Sequence, residues 1–256
     1  MPDGRPIGLD RPAPMSDPAP APEISVVLPV FDEEDNLRAL SDELLPVVRG
    51  LGRPFEVLFV DDGSRDGSPA VLREIAARHP EVSVWRLDRN RGLSSALDAG
   101  FRSARGEVIV TLDADLQSDP RDIPRLLEHL GAHDMVCGWR RDRRDPWVKR
   151  ASSRIANWWR NRRTGDSIHD VTCPMKVFRA SIVPHLPPFD GMHRFYPTLA
   201  RLAGFRVVEV PVSHRPRGAG RSKYGVWNRL AKGLSDLRAI RWMQRNRLDY
   251  RKERVA

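Results

Sequence analysis

The stretch from residue 24 to residue 131 predicts an α/β fold, a doubly wound and mostly parallel sheet flanked by helices. Three observations carry that expectation. Short apolar, β-branched runs alternate with longer segments whose apolar residues recur every three or four positions, the pattern of strands and amphipathic helices taking turns. The runs ISVVLPV, FEVLFV and VIVTL are apolar at nearly every position, as in strands covered on both faces. Each run ends in a polar cluster, which lines those clusters along the C-terminal edge of the sheet, where open α/β sheets bind ligands.

Residues 1–22, rich in Pro and Ala, read as a disordered or polyproline-like tail. The first strand is expected at Ile24–Val30. Phe31-Asp32-Glu33-Glu34-Asp35-Asn36 follows, then a helix carrying Leu37, Leu40, Leu44, Val48 and Leu51. Its acidic first turn complements the helix dipole, and Pro46 should kink the helix or end it early. The second strand, Phe55–Val60, runs into the turn residues Asp61-Asp62-Gly63-Ser64, with a helix over roughly 67–78. A third strand, Val82–Leu87, leads to Asn90-Arg91-Gly92, and Leu93–Ala104 is helical. Gly106 turns the chain into the fourth strand. Beyond it, His133–Gly138 reads as a strand, Phe189–Ala203 as a helix, and Phe205–Val212 as an edge-type strand, because Pro211 would break a ladder at a sheet centre.

The chemistry gathers where the fourth strand stops, at Thr111-Leu112-Asp113-Ala114-Asp115-Leu116-Gln117. In an extended or turning backbone alternate side chains share a side, so Asp113, Asp115 and Gln117 can converge. Three hard oxygen donors at a strand end suit an Mg2+- or Mn2+-type ion that keeps positions open for phosphate. The plainer alternative is a polar turn in which Ser118 or Asp119 caps a helix with Pro120 at its first position.

At 256 residues the chain has room for one large domain, with or without appendages. Cys137 and Cys173 lie far apart and suggest neither a disulfide framework nor a metal cage. No apolar run approaches bilayer-spanning length, and the N-terminus has no signal-peptide core. The net charge is +9, unevenly held. Residues 137–163 carry +8 and residues 215–256 carry +10, leaving −9 for the remainder. Two concentrated basic segments on an acidic body point to an anionic partner: nucleic acid, an anionic membrane or phosphorylated ligands. Trp147, Ala151, Ile155 and Trp158 form one stripe at helical spacing among basic residues, a pattern suited to a lipid headgroup region. Trp227, Leu230, Leu234, Leu237, Ile240 and Trp242 repeat that pattern in the tail. Between body and tail, His214–Gly225 is a basic, glycine-containing loop able to approach an anion closely.

LPVFDEEDNL, VDDGSRDGS, the N-x-G at 90–92, LDADLQ and the R-x-x-G-x-SKYG-type ending resemble the family 2 glycosyltransferases of the GT-A fold. Within them the set resembles the dolichol-phosphate mannosyltransferase, or polyprenyl-phosphate glycosyltransferase, branch. The resemblance covers about 24–225 and divides the chain into a tail (1–22), a GT-A domain (23–225) and a basic membrane-surface helix (226–256). It implies that Pro29, Phe31, Glu33, Asp61 and Asp62 hold the nucleotide base and ribose. Asp113, Ala114 and Asp115 would face the donor diphosphate, with Asp113, Asp115 and Gln117 as metal ligands. Arg140 matches the arginine of a G-x-R signature; it would stabilise leaving-group charge and grip a second phosphate bidentately. Lys149, Arg150 and Ser153 match the region that holds the acceptor lipid phosphate, and Arg217, Ser222 and Lys223 match donor-binding positions of a closing loop. Asp32 stands where an Asn is usual, and Cys173-Pro174 replaces a common Ser-Gly.

The implied activity is inverting, metal-dependent transfer of a sugar from a nucleotide-sugar, GDP-mannose first and UDP-sugars second, to a polyprenyl phosphate. It would occur at the cytoplasmic face of the membrane, with the protein held by the anionic surface or by a separate membrane protein. A phosphate acceptor arrives ionised and needs no base, so Asp170 is expected to orient rather than catalyse. A transferase acting on a sugar hydroxyl would instead use Asp170 as its base. A basic nucleic-acid-binding module rests on charge alone and leaves the acidic strand ends without purpose, so no nucleic-acid partner is expected. A nucleotidyltransferase would need a glycine-rich activation loop near the N-terminus, and the sequence has none.

Overall fold

The computed structural model describes residues 21–141 and 168–216, with Arg162 and Trp242 as isolated positions. The Trp-rich stripe, the tail helix, residues 1–20, and the expected site residues Lys149, Arg150, Ser153, Arg217, Ser222 and Lys223 lie outside the described residues.

Seven strands form one sheet in the order β3-β2-β1-β4-β6-β5-β7. They are β1 (Ile24–Val30), β2 (Phe55–Asp61), β3 (Val82–Arg86), β4 (Val108–Thr111), β5 (Met135–Trp139), β6 (Lys176–Arg179) and β7 (Val207–Pro211). The pairs β1/β2, β2/β3, β1/β4 and β5/β7 are parallel. Only β6 runs against its neighbours β4 and β5. This is the doubly wound, mostly parallel arrangement that the sequence predicts. β6 was not foreseen. Its apolar run, Val177-Phe178, is too short to show a period, and it pairs because the chain returns from the C-terminal edge between two existing strands. Pro211 ends β7 at the sheet's edge, as expected.

Among the described residues, five α-helices cover the two faces. On one side α1 (Glu34–Arg49), α2 (Ser68–Arg78) and α4 (Ile123–His129) set Leu37, Leu40, Leu44, Leu72, Ile75 and Leu126 against Ile24, Val26, Leu28 and Val57. On the other, α3 (Leu93–Ser103) and α5 (Tyr196–Leu202) set Leu97, Phe101, Tyr196 and Leu199 against Val27, Val60, Ile109 and Phe178. Burying each large side chain contributes roughly 1.5–3 kcal/mol. Helix α3 lies directly on the sheet at Gly100, where an added Cβ would sit 2.3 Å from Val27 Cγ1.

One helix expectation is narrowed and one is corrected. Pro46 does not end α1, which continues to Arg49. Both Pro46 and Asp42, whose carbonyl loses its partner, are exposed, so water can replace that bond. Phe189–Ala203 is not one helix. Gly191 adopts φ 101°, which no right-handed helix tolerates, and Pro197 lacks the N–H needed within one. The segment becomes a short 3-10 turn at Met192–Arg194 followed by α5.

β1 pairs with β4 only over Ile24–Val27, while its pairing with β2 continues to Val30. Beyond Val27 the β4 side of β1 has no ladder, so Pro29 breaks no bond there. The chain winds outward from β1 through β2 to β3, and outward the other way from β4. The gap between β1 and β4 is therefore the topological switch point, where such sheets bind ligands.

Candidate active site

Three strand-end loops are laced together on the β1–β2–β3 side of the switch point. Asp32, held at φ 49°, donates its N–H to Ser64 Oγ (2.9 Å) and accepts from Arg65 N on Oδ1 (2.7 Å). Glu33 donates its N–H to Ser68 Oγ (2.9 Å), and its Oε2 accepts from Asn36 Nδ2 (2.6 Å). Glu34 accepts from Gly67 N (2.8 Å). Pro29, Phe31 and Glu33 are half-buried at the rim of this bundle.

Asp61 and Asp62 are both buried, with different duties. Asp61 Oδ1 accepts from Ser64 N at 2.8 Å, and Oδ2 lies 3.1 Å from Arg86 Nε without a hydrogen-bonding angle. Asp62 accepts from the backbone N–H of Arg91 (2.6 Å) and of Gly92 (2.8 Å). Burial pushes the Asp62 carboxyl up and those two amides pull it down, leaving it above the usual carboxylate value. Both oxygens of Asp62 thus hold the Asn90-Arg91-Gly92 loop. Gly63, at φ 71°, lets that loop approach; an added Cβ would meet the Arg89 carbonyl carbon at 2.5 Å.

On the far side of the gap, β4 delivers Asp113, Ala114, Asp115 and Gln117. Asp115 is buried and Asp113 half-exposed. Gln117 N donates to Asp115 Oδ1 at 3.1 Å, while Leu116 between them takes φ 62°. A non-glycine residue in that region is strained by about 1 kcal/mol or more. The tight turn brings the Gln117 amide onto the Asp115 carboxylate. Among the described residues no three His, Cys, Asp or Glu side chains form a ready cage. Two carboxylates and a carboxamide leave positions for water and phosphate oxygens, which is how magnesium-type ions are bound beside diphosphates. The donor set fits such an ion.

The turn is anchored from the end of β7. Arg215 N donates to the Gln117 carbonyl (3.0 Å), and the Arg215 guanidinium reaches Glu43 Oε2 (2.6 Å) and Asp119 Oδ2 (2.7 Å). Asp119 caps the 3-10 turn Pro120–Asp122 by accepting from Arg121 N. Burial would raise the Asp119 carboxyl, but Arg121 and Arg215 bring it down to about 2.

Arg140 follows β5. Its Nε donates to Asp170 Oδ2 (2.7 Å), and Nη2 donates to Asp170 Oδ1 (3.0 Å) and Thr172 Oγ1 (2.9 Å). The side chains are 11% and 6% exposed, so this is an interior pair. Burial works against the guanidinium charge, but Asp170 outweighs it and holds the arginine firmly protonated. In this arrangement the guanidinium fork is turned toward Asp170, so a bidentate grip on a phosphate would have to displace that carboxylate. Both N–H-bearing atoms of that fork face Asp170 and Thr172, which leaves Nη1 alone without a partner among the described residues.

Thr172, Arg215 and Glu209 were not foreseen as site residues. Arg215 lay in plain view in the basic loop, whereas Glu209 carried only the alternation of a strand. Cys137 and Cys173, pushed by burial to about 12 and about 11, are inert thiols.

The family model described as Glycosyl transferase family 2 matches residues 25–186. The chain is 40% identical over 205 residues to the undecaprenyl-phosphate 4-deoxy-4-formamido-L-arabinose transferase of Edwardsiella ictaluri, covering 79% of this chain and 63% of that protein. It is 35% identical over 238 residues to the dodecaprenyl-phosphate galacturonate synthase of Rhizobium johnstonii, covering 90% and 70%. Among solved structures it resembles glucosyl-3-phosphoglycerate synthase from Mycobacterium tuberculosis with TM-score 0.64, at 20% identity and 89% and 81% coverage. It also resembles a mannosyltransferase from Pyrobaculum calidifontis, in complex with GDP-Man and Mn2+, with TM-score 0.61, at 23% identity and 91% and 68% coverage.

Proposed function

The chain belongs to glycosyl transferase family 2, and from that premise we propose that it moves a sugar from a nucleotide-sugar to a polyprenyl phosphate, with inversion, at the cytoplasmic membrane face. The observation that carries the reading is the Arg140–Asp170 pair. A carboxylate held by two hydrogen bonds from one guanidinium, and touched by Thr172, is poorly placed to take a proton from an acceptor hydroxyl. An acceptor phosphate has already lost its proton and needs no base. The names of the two relatives, each a transferase or synthase on a prenyl phosphate, support the same choice.

Each side chain then has a task. Pro29, Phe31, Glu33 and Asp61 border the place for base and ribose, and Asp62 fixes the neighbouring loop. Asp113, Asp115 and Gln117 would hold Mg2+ or Mn2+, which supplies Lewis-acid stabilisation of a departing diphosphate. Arg140 Nη1 offers one fixed cationic donor to phosphate oxygens. Asp170 orients Arg140. Lys149, Arg150 and Ser153 are candidates for the lipid phosphate, and Arg217, Ser222 and Lys223 for the donor. The basic segments would hold the protein on an anionic leaflet. Among the described residues no helix is long and apolar enough to cross a membrane.

The donor sugar is decided by a panel. Labelled GDP-mannose, UDP-sugars, and donors of the formamido-arabinose and galacturonate named for the relatives are each incubated with short polyprenyl phosphates and divalent metal. Label entering the organic phase with one donor is expected; label staying aqueous with all of them removes the proposal. In parallel, calorimetry should show Mn2+ or Mg2+ tightening GDP or UDP binding to the wild type and not to Asp115→Ala.

A further inference from the structure

Glu209 lies on the edge strand β7, in register with Cys137 of β5. Its carboxylate is nearly enclosed, with the side chain 8% exposed. Among the described residues it pairs with no arginine. Instead Oε1 accepts from Asp170 N (2.8 Å), while Oε2 accepts from His169 N (2.8 Å) and lies 2.9 Å from His169 Nδ1. The His169 ring stacks on Trp139, centroids 4.5 Å apart and planes at 20°. Trp139 is the residue before Arg140. A single carboxylate thus pins two consecutive backbone amides of the loop that carries Asp170, and the ring it fixes braces the strand end that carries Arg140.

The local geometry makes this arrangement necessary. His169 and Asp170 precede β6 and belong to no ladder, so their amides have no strand partner. Asp170 is buried, and a buried N–H left unpaired costs roughly 1–3 kcal/mol; His169 is exposed, so its amide could also reach water. Asp170 can aim both oxygens at Nε and Nη2 of Arg140 only when its own backbone is held. The guanidinium plane, and with it the direction of Nη1, is set by that aim.

We propose that Glu209 is a positioning residue that acts through Asp170 to orient Arg140 toward the substrate phosphate. This rests on the proposed transferase reading for its kinetic consequence, though not for its geometry. Among the described residues Glu209 makes no hydrogen bond or ion pair to the metal-type turn or the base-side loops; its partners are His169 and Asp170, which lead to Arg140.

The test has two arms, both on the full chain. In the kinetic arm, Glu209→Gln keeps the shape but removes one acceptor. It is expected to lower kcat about ten- to a hundredfold, the usual effect of losing a group that orients a site residue, with donor KM changed less than about twofold. In an Arg140→Lys background the same substitution should cost almost nothing further, because the pathway is already cut. An equal loss in both backgrounds would overturn the proposal and make Glu209 a general structural residue.

The second arm needs no substrate. The Nε–H proton of Arg140, sheltered by Asp170, should give a slowly exchanging 15N-edited NMR signal, assigned by its absence in Arg140→Lys. It should vanish or shift markedly in Glu209→Gln; an unchanged signal refutes the proposal. If the wild type transfers no sugar to any acceptor, the function proposal fails, and the Nε–H signal still decides the role of Glu209.

Discussion

Asp170 accepts two hydrogen bonds from the Arg140 guanidinium and one from Arg140 N (3.4 Å), and Thr172 donates to it at 3.0 Å. Asp170→Asn keeps the shape and removes the charge. It is expected to lower kcat by about ten- to a hundredfold by loosening Arg140, while the acid limb of the kcat/KM–pH profile stays where it is in wild type. Loss of that limb would identify a general base instead. Gly63 gives a second expectation. At φ 71°, with backbone 2.5 Å from where a Cβ would stand, Gly63→Ala should destabilise the fold by more than about 1 kcal/mol in urea unfolding. A substitution with no effect would mean that the Asp62-held loop lies farther from Gly63. The D-x-D-x-Q turn could be read in the sequence because its donors are neighbours. Glu209 could not, because its partners lie 39 and 40 positions away and only the strand order brings them together.

Helix and strand patterns were legible wherever an element buries a full face. β1 and β2, apolar at almost every position, are covered on both sides, and their limits fall within a residue of expectation. Phe189, Met192, Phe195, Tyr196 and Leu199 keep a helical rhythm too, yet Gly191 and Pro197 split them. All but Phe189 are buried, so the rhythm reports burial rather than backbone. The junction of β7 with α4 is an element-scale device that depends on charge. Asp119, lowered to about 2, contributes stability that is complete above the ordinary carboxylate value and is lost as pH falls through the lowered one. Asp119→Asn should therefore destabilise the protein at pH 7 by about 1–2 kcal/mol, discounted for the exposed Arg121. The gap to wild type should close between about pH 4 and pH 2. Urea titrations across that range check it; a constant gap would point to lost packing.

At the scale of the whole molecule, charge and chemistry are separated. The residues outside 137–163 and 215–256 carry −9 against +8 and +10 for those two segments. Trp242, 66% exposed, sits in the second of them. The full chain is expected to sediment with vesicles containing phosphatidylglycerol and not with phosphatidylcholine alone. Raising salt from low to well above physiological strength should weaken that binding by at least about tenfold. Equal binding to both vesicle types would assign the basic segments another partner. Composition revealed this polarity without any structure, because net charge needs no geometry. What composition hid is where the positive segments join the body.

One such junction is described: Arg215 grips the Gln117 carbonyl, Asp119 and Glu43 immediately before the glycine-rich stretch begins. The second basic segment therefore starts from a fixed point beside the acidic turn, and removing the Arg215 guanidinium would loosen Asp119, Glu43 and the Gln117 loop together.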